Sequence, residues 1–429
     1  MTWVLATIAV LLLAYAVLAR ALTLRNVSGA MFFTTAGVLA GAIPGLFEID
    51  LHGEPLQLLA EITLTLVLFA DASRISLSAL RREFKVPVRL LGIGLPLTIA
   101  AGALAGAVFI PDISFAEAVV LAVILACTDA ALGQAVVTDE RIPSRIRQGL
   151  NVESGLNDGL CVPLFFIAIA IAETDAGTTS GHAAASLVFE QIGYGLVGGI
   201  VAGAAGATAL AVATRRRLVE PHWLQILTVA SALLAAGIAS GLGGSIFIAA
   251  FAGGLVFSAI RRESGAEVSH LVDEGGDLFN AVTFVVFGAV ILGPLLDELT
   301  WQVALYAILS LTVVRMLPVA LAMLGSGVRR QTVAFVGWFG PRGLASIVFG
   351  VMLIDEAALP HQRALLLAIT MTIALSVYAH GLTARPLTAR YTSWWASHPR
   401  DAQPPMERVH AEPHRWRSPA LVPEPGAGA

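Results

Sequence analysis

The chain has 429 residues, of which 57% are hydrophobic and only 13% are charged, and its mean hydropathy is +0.80. A soluble domain of this size would carry about twice that fraction of charged residues. These values exclude an ordinary soluble protein and indicate a polytopic membrane protein. The net charge of −4 says little about partners, because the placement of charges matters more than their sum.

Apolar spans recur from one end of the chain to the other. The first has neither a basic leader nor a small-residue cleavage site, so we expect a retained first span rather than a signal peptide. The pattern predicts an all-α fold with about 13 transmembrane helices. The predicted spans cover residues 3–19, 27–43, 55–72, 87–109, 115–137, 146–172, 185–213, 223–240, 243–260, 277–295, 301–324, 331–354 and 364–384.

Basic residues alternate between the loops. Of the 26 Lys and Arg, 17 follow the odd-numbered spans up to the eleventh, and one, Arg363, lies in the loops between. By the positive-inside rule, this alternation predicts an inner (cytoplasmic) membrane protein with its N-terminus outside and its C-terminus in the cytoplasm. Residues 391–429 are rich in Pro, His and charge, which predicts a disordered cytoplasmic tail. The 17 residues are Arg20, Arg25, Arg74, Arg81, Arg82, Lys85, Arg89, Arg141, Arg145, Arg147, Arg215, Arg216, Arg217, Arg261, Arg262, Arg329 and Arg330.

Several charged residues lie inside the predicted spans or at their edges. Each would cost about 2.5–3.5 kcal/mol at the centre of a membrane helix. An acid at a span edge has a structural alternative, namely an interfacial position or an ion pair, but a cluster of this size is typical of an ion or proton pathway. The residues are Asp71, Asp129, Glu153, Asp158, Arg315 and Arg342.

Two of these charges lie in segments with weak helix propensity. Asp129 lies in "CTDAALG", after Thr128 and before Gly133, and Arg342 lies in "FGPRGLAS", after Pro341. Both spans are therefore candidates for breaks near the midplane, with a simple kink as the alternative for each. In a broken pair, Asp129 would balance the N-terminal end of one half-helix and Arg342 the C-terminal end of the other. A weak correspondence between the two halves, at offsets of 213 and 218 residues, suggests inverted repeats.

The stretch "NVESGLNDGL" places polar oxygens at the head of the sixth span. On a helix, Ser154 and Asp158 share a face, and Asn157 is three residues from Ser154 and four from Glu153. Carboxylate, hydroxyl and amide oxygens suit a hard monovalent cation. A half-buried carboxylate can hold a proton or a cation but not both, and this competition would produce proton-coupled cation exchange.

Together, "TDA", "ESGLNDG", an arginine in span eleven and "GPRG" in span twelve resemble the monovalent cation:proton antiporters, most of all the NhaP-like sodium/proton exchangers. This resemblance covers residues 1–390. It implies a sodium/proton antiporter-like fold with two unwound crossing helices and exchange of Na⁺ (or Li⁺ or K⁺) for H⁺. Asn157 in place of a second aspartate resembles the electroneutral branch.

The resemblance also implies roles for individual residues. Asp158 would be the ion- and proton-binding carboxylate, helped by Ser154. Glu153 would pair with a membrane arginine, either Arg315 or Arg342, of which Arg315 matches the span-eleven position better. Arg342 would balance the helix crossing. Thr128 and Asp129 would lie at that crossing, and Asp71 is the span-three acid. The implied set of ion- and proton-binding residues is Asp158, Asp129, Asn157, Ser154, Thr128 and Asp71, with cation contacts from Asp158, Ser154, Thr128 and Asp71.

The resemblance further implies a homodimer in a lipid bilayer, without a cofactor or nucleic acid. Core helices over residues 55–172 and 277–384 would move against dimerisation helices. Two alternatives remain: a channel or proton-coupled symporter on the same site, and an intramembrane aspartyl protease using Asp129 and Asp158. His380 in the last span has two interpretations, a hydrogen-bonded structural histidine or a proton relay.

Overall fold

A computed structural model describes residues 2–47, 53–75, 85–129, 132–218, 220–261, 270–397 and 407. Within these ranges every regular element is helical, so the predicted all-α fold is confirmed. Three of the basic loop residues, Arg81, Arg82 and Arg262, lie outside the described residues.

We number the helices in chain order and give one number to a helix that continues through a π turn or a single-residue interruption. The helices are α1 (Thr2–Leu24), α2 (Gly29–Gly41), α3 (Glu54–Arg74), α4 (Lys85–Phe109), α5 (Phe115–Ile124), α6 (Gln134–Val137), α7 (Ser144–Asp175), α8 (Gly181–Arg215), α9 (Pro221–Leu242), α10 (Ile246–Ile260), α11 (His270–Val286, continued by a π turn over Phe287–Leu292), α12 (Trp301–Ala322), α13 (Arg330–Trp338), α14 (Leu344–Glu356) and α15 (Gln362–Ala396).

Short polar side chains set the start of several helices. In each case a hydroxyl oxygen accepts a hydrogen bond from the backbone N–H three residues on, which satisfies a donor that has no partner inside the helix. At α5, Glu117 also bonds back to the cap residue and completes a capping box. The capping residues are Ser28, Ser114, Ser180, Ser245 and Thr300.

In the described part of the chain, nine helices are long and apolar enough to cross a membrane by length and composition. Four shorter apolar helices, α2, α5, α10 and α14, have 10–17 residues. A multi-pass membrane fold follows, while the count of thirteen spans stays a prediction.

Both spans predicted to break do so. The fifth ends its first helix at Ile124 and resumes as α6, and the twelfth ends α13 at Trp338 and resumes as α14. The simple-kink alternative is therefore wrong for both spans. The second break contains Pro341, which lacks a backbone N–H, and Gly340 and Gly343, which flank the Pro341–Arg342 pair and add no side chain.

Close backbone contact holds α8 and α10 together. A Cβ on Gly199 or Gly203 of α8 would overlap the backbone of Ala249 or Gly253 of α10. Because small residues allow such close approach, van der Waals packing can hold these helices together inside a bilayer, where no hydrophobic drive joins them.

The helices pack in two groups. Helix α3 packs extensively on α10, which also contacts α8 and α9, and α11 packs on α2 and α3. These helices form the first group. The second group contains α4, α5, α7, α12, α13, α14 and α15. The predicted core over residues 55–172 and 277–384 stays a prediction, and the packing favours a division in which α3 and α11 belong with the first group.

The C-terminal tail begins later than predicted. Helix α15 continues through Tyr391 to Ala396, because the Tyr391 ring is buried and stacks on Phe335 at a centroid distance of 4.1 Å. Glu407 is also buried, with 2% of its surface exposed. The remainder of the predicted tail lies outside the described residues.

Candidate functional site

The two broken spans cross at their unwound segments. Residues 127–129 follow α5 and residues 339–343 precede α14, and neither segment is helical. The backbone N–H of Asp129 donates to the carbonyl oxygen of Pro341 at 2.8 Å. The helix breaks therefore satisfy each other's backbone groups, which unwound chain in a membrane requires.

The charges at the crossing match the helix ends that surround them. Asp129 Oδ2 accepts from the N–H of Leu344 at 3.0 Å, and Oδ1 accepts from the N–H of Leu132 at 3.4 Å. Leu344 is the first residue of α14, so the carboxylate faces the positive end of that half-helix. Glycine at position 343 is required here, because a Cβ would overlap the Asp129 carboxyl group.

Arg342 places a positive charge at the negative ends of the half-helices. Its Nη1 donates to the carbonyl oxygens of Cys127 at 3.2 Å and Gly340 at 3.1 Å, which follow the ends of α5 and α13. Its side chain is fully buried. The guanidinium thus lies at the negative ends of two half-helices, and the structure brings Asp129 and Arg342 together at the crossing as the sequence predicts.

Helix α7 holds the first unwound segment through two side chains of the "ESGLND" stretch. Asn157 Nδ2 donates to the carbonyl oxygen of Ala126 at 2.9 Å and to Thr128 Oγ1 at 3.3 Å. Its Oδ1 accepts from Cys161 Sγ at 3.2 Å. Ser154 Oγ donates to the carbonyl oxygen of Thr128 at 2.6 Å. The amide and the hydroxyl therefore order the segment that carries Asp129.

Glu153 and Arg315 form a buried bidentate ion pair. Arg315 Nη1 donates to Glu153 Oε1 at 2.7 Å, and Nη2 donates to Oε2 at 3.0 Å. Each side chain is 2% exposed. Glycine at position 340 makes room for this arginine, since a Cβ there would overlap its guanidinium. The structure joins Glu153 to Arg315 rather than to Arg342.

Asp158 differs from the other three acids. Its carboxyl group lies beside the backbone of Thr128, and the residue as a whole is 8% exposed. Among the described residues, its buried Oδ1 has no hydrogen-bond partner. An isolated buried carboxylate oxygen is costly, so this oxygen is available for a proton or a cation.

Asp71 lies near α7 but is already paired. Its Oδ1 accepts from Arg74 Nη1 at 2.7 Å, one turn along α3. A Cβ on Gly155 would lie 3.6 Å from the Asp71 Cβ, which places this acid against the turn before Asp158. A role for Asp71 in ion binding stays a prediction.

A small cavity of about 20 Å³ adjoins the crossing. Its polar lining comes from Thr128, Asp129, Glu153 and Ser154. A volume of roughly 10–15 Å³ is enough to hold one water molecule. The cavity therefore has the size for one small ligand beside Thr128, Asp129, Glu153 and Ser154, whereas Asp158 does not line it.

Polar residues outside the predicted ion-binding set also support the crossing. Ser346 Oγ donates to the carbonyl oxygen of Ile124 at 2.8 Å, and the N–H of Arg342 donates to Ser376 Oγ at 2.6 Å. His380 contacts the Trp338 carbonyl oxygen through Nε2 at 2.9 Å and Ser376 through Nδ1. The structural interpretation of His380 therefore has its partners, and the i, i+4 spacing of Ser376 and His380 was the signal available in the sequence.

Comparison with known proteins places this geometry in a family. The model of the transmembrane sodium/hydrogen exchanger family matches residues 8–390. A Na⁺/H⁺ antiporter of Schizosaccharomyces pombe is 27% identical over 343 residues, which cover 76% of this chain and 71% of that protein. The K⁺/H⁺ antiporter NhaP of Alkalimonas amylolytica is 25% identical over 326 residues, covering 75% of this chain and 55% of that protein.

Other relatives are much longer than the matched region. A probable Na⁺/H⁺ antiporter of S. pombe is 26% identical over 255 residues, and the match covers 56% of this chain but only 33% of that protein. In solved structures, the fold is similar to the sodium proton antiporter MjNhaP1 of Methanocaldococcus jannaschii, with a TM-score of 0.71 and 19% identity over 91% of this chain and 98% of that one. This chain belongs to the transmembrane sodium/hydrogen exchanger family.

Proposed function

We propose that this protein is a secondary antiporter that exchanges a monovalent cation, Na⁺ foremost, for H⁺ across the membrane. Family membership supports exchange over the channel and protease alternatives. The relatives named as Na⁺/H⁺ and K⁺/H⁺ antiporters support a monovalent cation as the second substrate, with Li⁺ as a further candidate.

One observation carries the assignment of the site. Asp129 accepts from backbone N–H groups, and Glu153 and Asp71 accept from arginines. In the part of the chain that the structure describes, only Asp158 among these four acids has a buried oxygen without a hydrogen-bond donor. The other three carboxylates have structural partners, so Asp158 is the one on which transport can depend.

The proposed cation–proton competition follows from the free-energy cost of burying Oδ1 of Asp158 without a hydrogen-bond donor. A buried carboxylate oxygen without a hydrogen-bond donor is stabilised by a proton or by a cation, and binding of one displaces the other. Ser154 uses its hydroxyl proton on Thr128, which leaves its oxygen lone pairs free to act as ligands. We propose Asp158, Ser154 and Thr128 as the cation contacts, with Asp71 as a further candidate.

The same geometry supports a one-to-one exchange. Asn157 uses both functions of its amide, donating to Ala126 and Thr128 and accepting from Cys161. An amide does not titrate, so the site offers a single carboxylate at position 158. One cation for one proton leaves the net charge moved at zero.

Alternating access requires that two groups of helices move against each other. We propose that α4–α7 and α12–α15 form the moving group and that α1–α3 and α8–α11 form the scaffold, which would also make the homodimer contact. The positive-inside pattern supports an inner-membrane location with the C-terminus in the cytoplasm.

The test uses proteoliposomes with an acidic interior and a fluorescent pH reporter. NaCl, LiCl or KCl is added outside, and the unaltered protein is compared with Asp158→Asn, which has nearly the same shape but no charge. Asp175→Asn is the matched control, because Asp175 lies on the same helix and is exposed.

We expect cation-dependent dissipation of the pH gradient with the unaltered protein and with Asp175→Asn, and none with Asp158→Asn. Dissipation without added cation would instead indicate a proton leak or channel. Absence of any response to all three salts over several pH values would refute the antiporter assignment.

A further inference from the structure

A residue of the C-terminal segment is buried against the start of α13. Glu407 Oε1 accepts from the backbone N–H of Arg329 at 2.8 Å and from Thr332 Oγ1 at 2.7 Å. The side chain is 2% exposed although the sequence places it in a polar tail. The antiport mechanism makes no use of this contact.

The site supplies two donors to one oxygen of the carboxylate, Oε1, whereas the buried Oε2 has no hydrogen-bond partner among the described residues. Arg329 is the N-cap residue of the nine-residue helix α13, where backbone N–H groups lack partners within the helix. A negative charge at this end is favoured by the helix dipole. The carboxylate of Glu407 satisfies one of these donors and neutralises the positive end of the helix.

A hydrogen-bond relay fixes the orientation of this contact. Thr332 is fully buried, and its Oγ1 lies 3.0 Å from the hydroxyl of Tyr391. Since Thr332 gives its only hydroxyl proton to Glu407, Tyr391 must donate to Thr332. The relay from Tyr391 through Thr332 to Glu407 therefore joins α15, α13 and the C-terminal segment.

Aromatic rings complete the site. Tyr391 stacks on Phe335 of α13, and the Arg329 guanidinium lies 5.7 Å from the ring centroid of Trp394. These contacts hold the end of α15 against α13.

We propose that the start of α13 and the end of α15 form a docking site for the chain's own C-terminal segment, with Glu407 as its carboxylate anchor. Helix α13 leads directly into residues 339–343, the unwound segment that carries Arg342. Docking of the tail therefore fixes the far end of one half of the broken span. The effect on transport rests on the proposed antiport, whereas the docking itself does not.

Limited proteolysis of the full chain tests the docking. Trypsin cleaves after Arg408, next to the anchor, and cleavage after Arg417 serves as an internal reference in the same digest. Thr332→Val removes the hydroxyl donor without changing the tail sequence. Thr388→Val is the matched control, because Thr388 is a buried threonine of α15 whose hydroxyl has no partner among the described residues.

We expect Thr332→Val to speed cleavage after Arg408, relative to Arg417, by about tenfold, which corresponds to a lost hydrogen bond to a charged group. Thr388→Val should cleave like the unaltered chain. Tyr391→Phe keeps the ring stack but removes the relay donor, and it should give a smaller increase. Equal cleavage ratios in the unaltered chain, Thr332→Val and Tyr391→Phe would overturn the docking site.

Transport measurements then test the consequence. Glu407→Ala should raise the Na⁺ concentration for half-maximal exchange by up to about fivefold, the equilibrium equivalent of a lost helix cap. Glu407→Asp should recover part of the loss. If the unaltered protein shows no exchange, the proposed function fails while the proteolysis result still decides the docking; if exchange is normal in Glu407→Ala, the regulatory consequence is wrong.

Discussion

The ion pair between Glu153 and Arg315 allows a quantitative test of how the site is held together. Both side chains are 98% removed from solvent, and two hydrogen bonds of 2.7 and 3.0 Å join them. Arg315→Met leaves a buried carboxylate without these donors, and Glu153→Gln leaves a buried guanidinium without its counter-charge. Breaking a buried pair in this way costs about 3–5 kcal/mol.

Removing both charges together should cost far less than the sum of the two single changes. The double variant Glu153→Gln, Arg315→Met contains no unpaired charge, and the flexible methionine can fill the volume of the arginine stem. We therefore expect a coupling free energy of at least about 2 kcal/mol between the two positions. Each of the three variants should be less stable than the unaltered protein. The free energy of unfolding that the double variant loses should be smaller than the sum of the losses in the two single variants.

The assay is reversible unfolding in mixed detergent micelles, followed by tryptophan fluorescence. Arg363→Met is the control, because Arg363 pairs with Glu298 on the surface and its side chain is 75% exposed. Water stabilises both partners there, so we expect almost no change in stability. Additive effects of the two single substitutions at the buried pair, or a stable Arg315→Met protein, would refute the assignment of this pair as a structural unit.

Three further substitutions test the crossing and the scaffold. Gly343→Ala should lower stability by about 1–3 kcal/mol and abolish cation-dependent dissipation, because its Cβ would overlap the Asp129 carboxyl group. In the control Gly237→Ala the new Cβ meets no described atom within 4 Å, so this variant should be neutral or slightly stabilised. Equal behaviour of the two variants would contradict the close approach of Gly343 to Asp129. Asn157→Asp should lower stability by about 1–3 kcal/mol in the same unfolding assay, because a carboxylate oxygen would face the Ala126 carbonyl to which the amide now donates; a fully stable variant would show that this bond is dispensable. Gly203→Val should lower the melting temperature by separating α8 from Gly253 of α10, whereas Gly193→Val on the same helix, with no described atom within 4 Å, should not; matching melting curves would rule out a tight interface.

Much of the architecture follows from local properties of the chain. Long apolar runs require helices, because backbone groups in a bilayer must be hydrogen-bonded within the protein. Pro341 with the nearby Gly340 and Gly343 marks one break, and Asp129 with Thr128 and Gly133 marks the other. The charges inside the spans were recognisable as a candidate ion or proton site because each is costly to bury alone in a membrane.

Partners separated by long stretches of chain were not predictable in this way. Ser376 and His380 support the crossing from another helix. Their i, i+4 spacing predicts only their mutual contact, not the contacts with Arg342 and Trp338, which lie 34 and 42 residues away along the chain. The tail is a second example: composition predicts disorder from residue 391, but burial of Tyr391 and Glu407 depends on a surface formed by α13 and α15. The composition of the C-terminal segment does not indicate whether other helices form a surface that buries its residues.

The sequence by itself therefore determined the membrane class, the two candidate sites for helix breaks and the set of charged residues in the spans, because these depend on hydrophobic length, backbone chemistry and the cost of burying charge. Only the tertiary structure decided which groups those charged side chains pair with. Arg315 lies 162 residues from Glu153 along the chain, and the backbone N–H of Leu344 donates to Asp129 from 215 residues away. Hydrogen bonds act over about 3 Å, so their partners are set by the packing of helices. In the described residues, that packing leaves the buried Oδ1 of Asp158 without a donor.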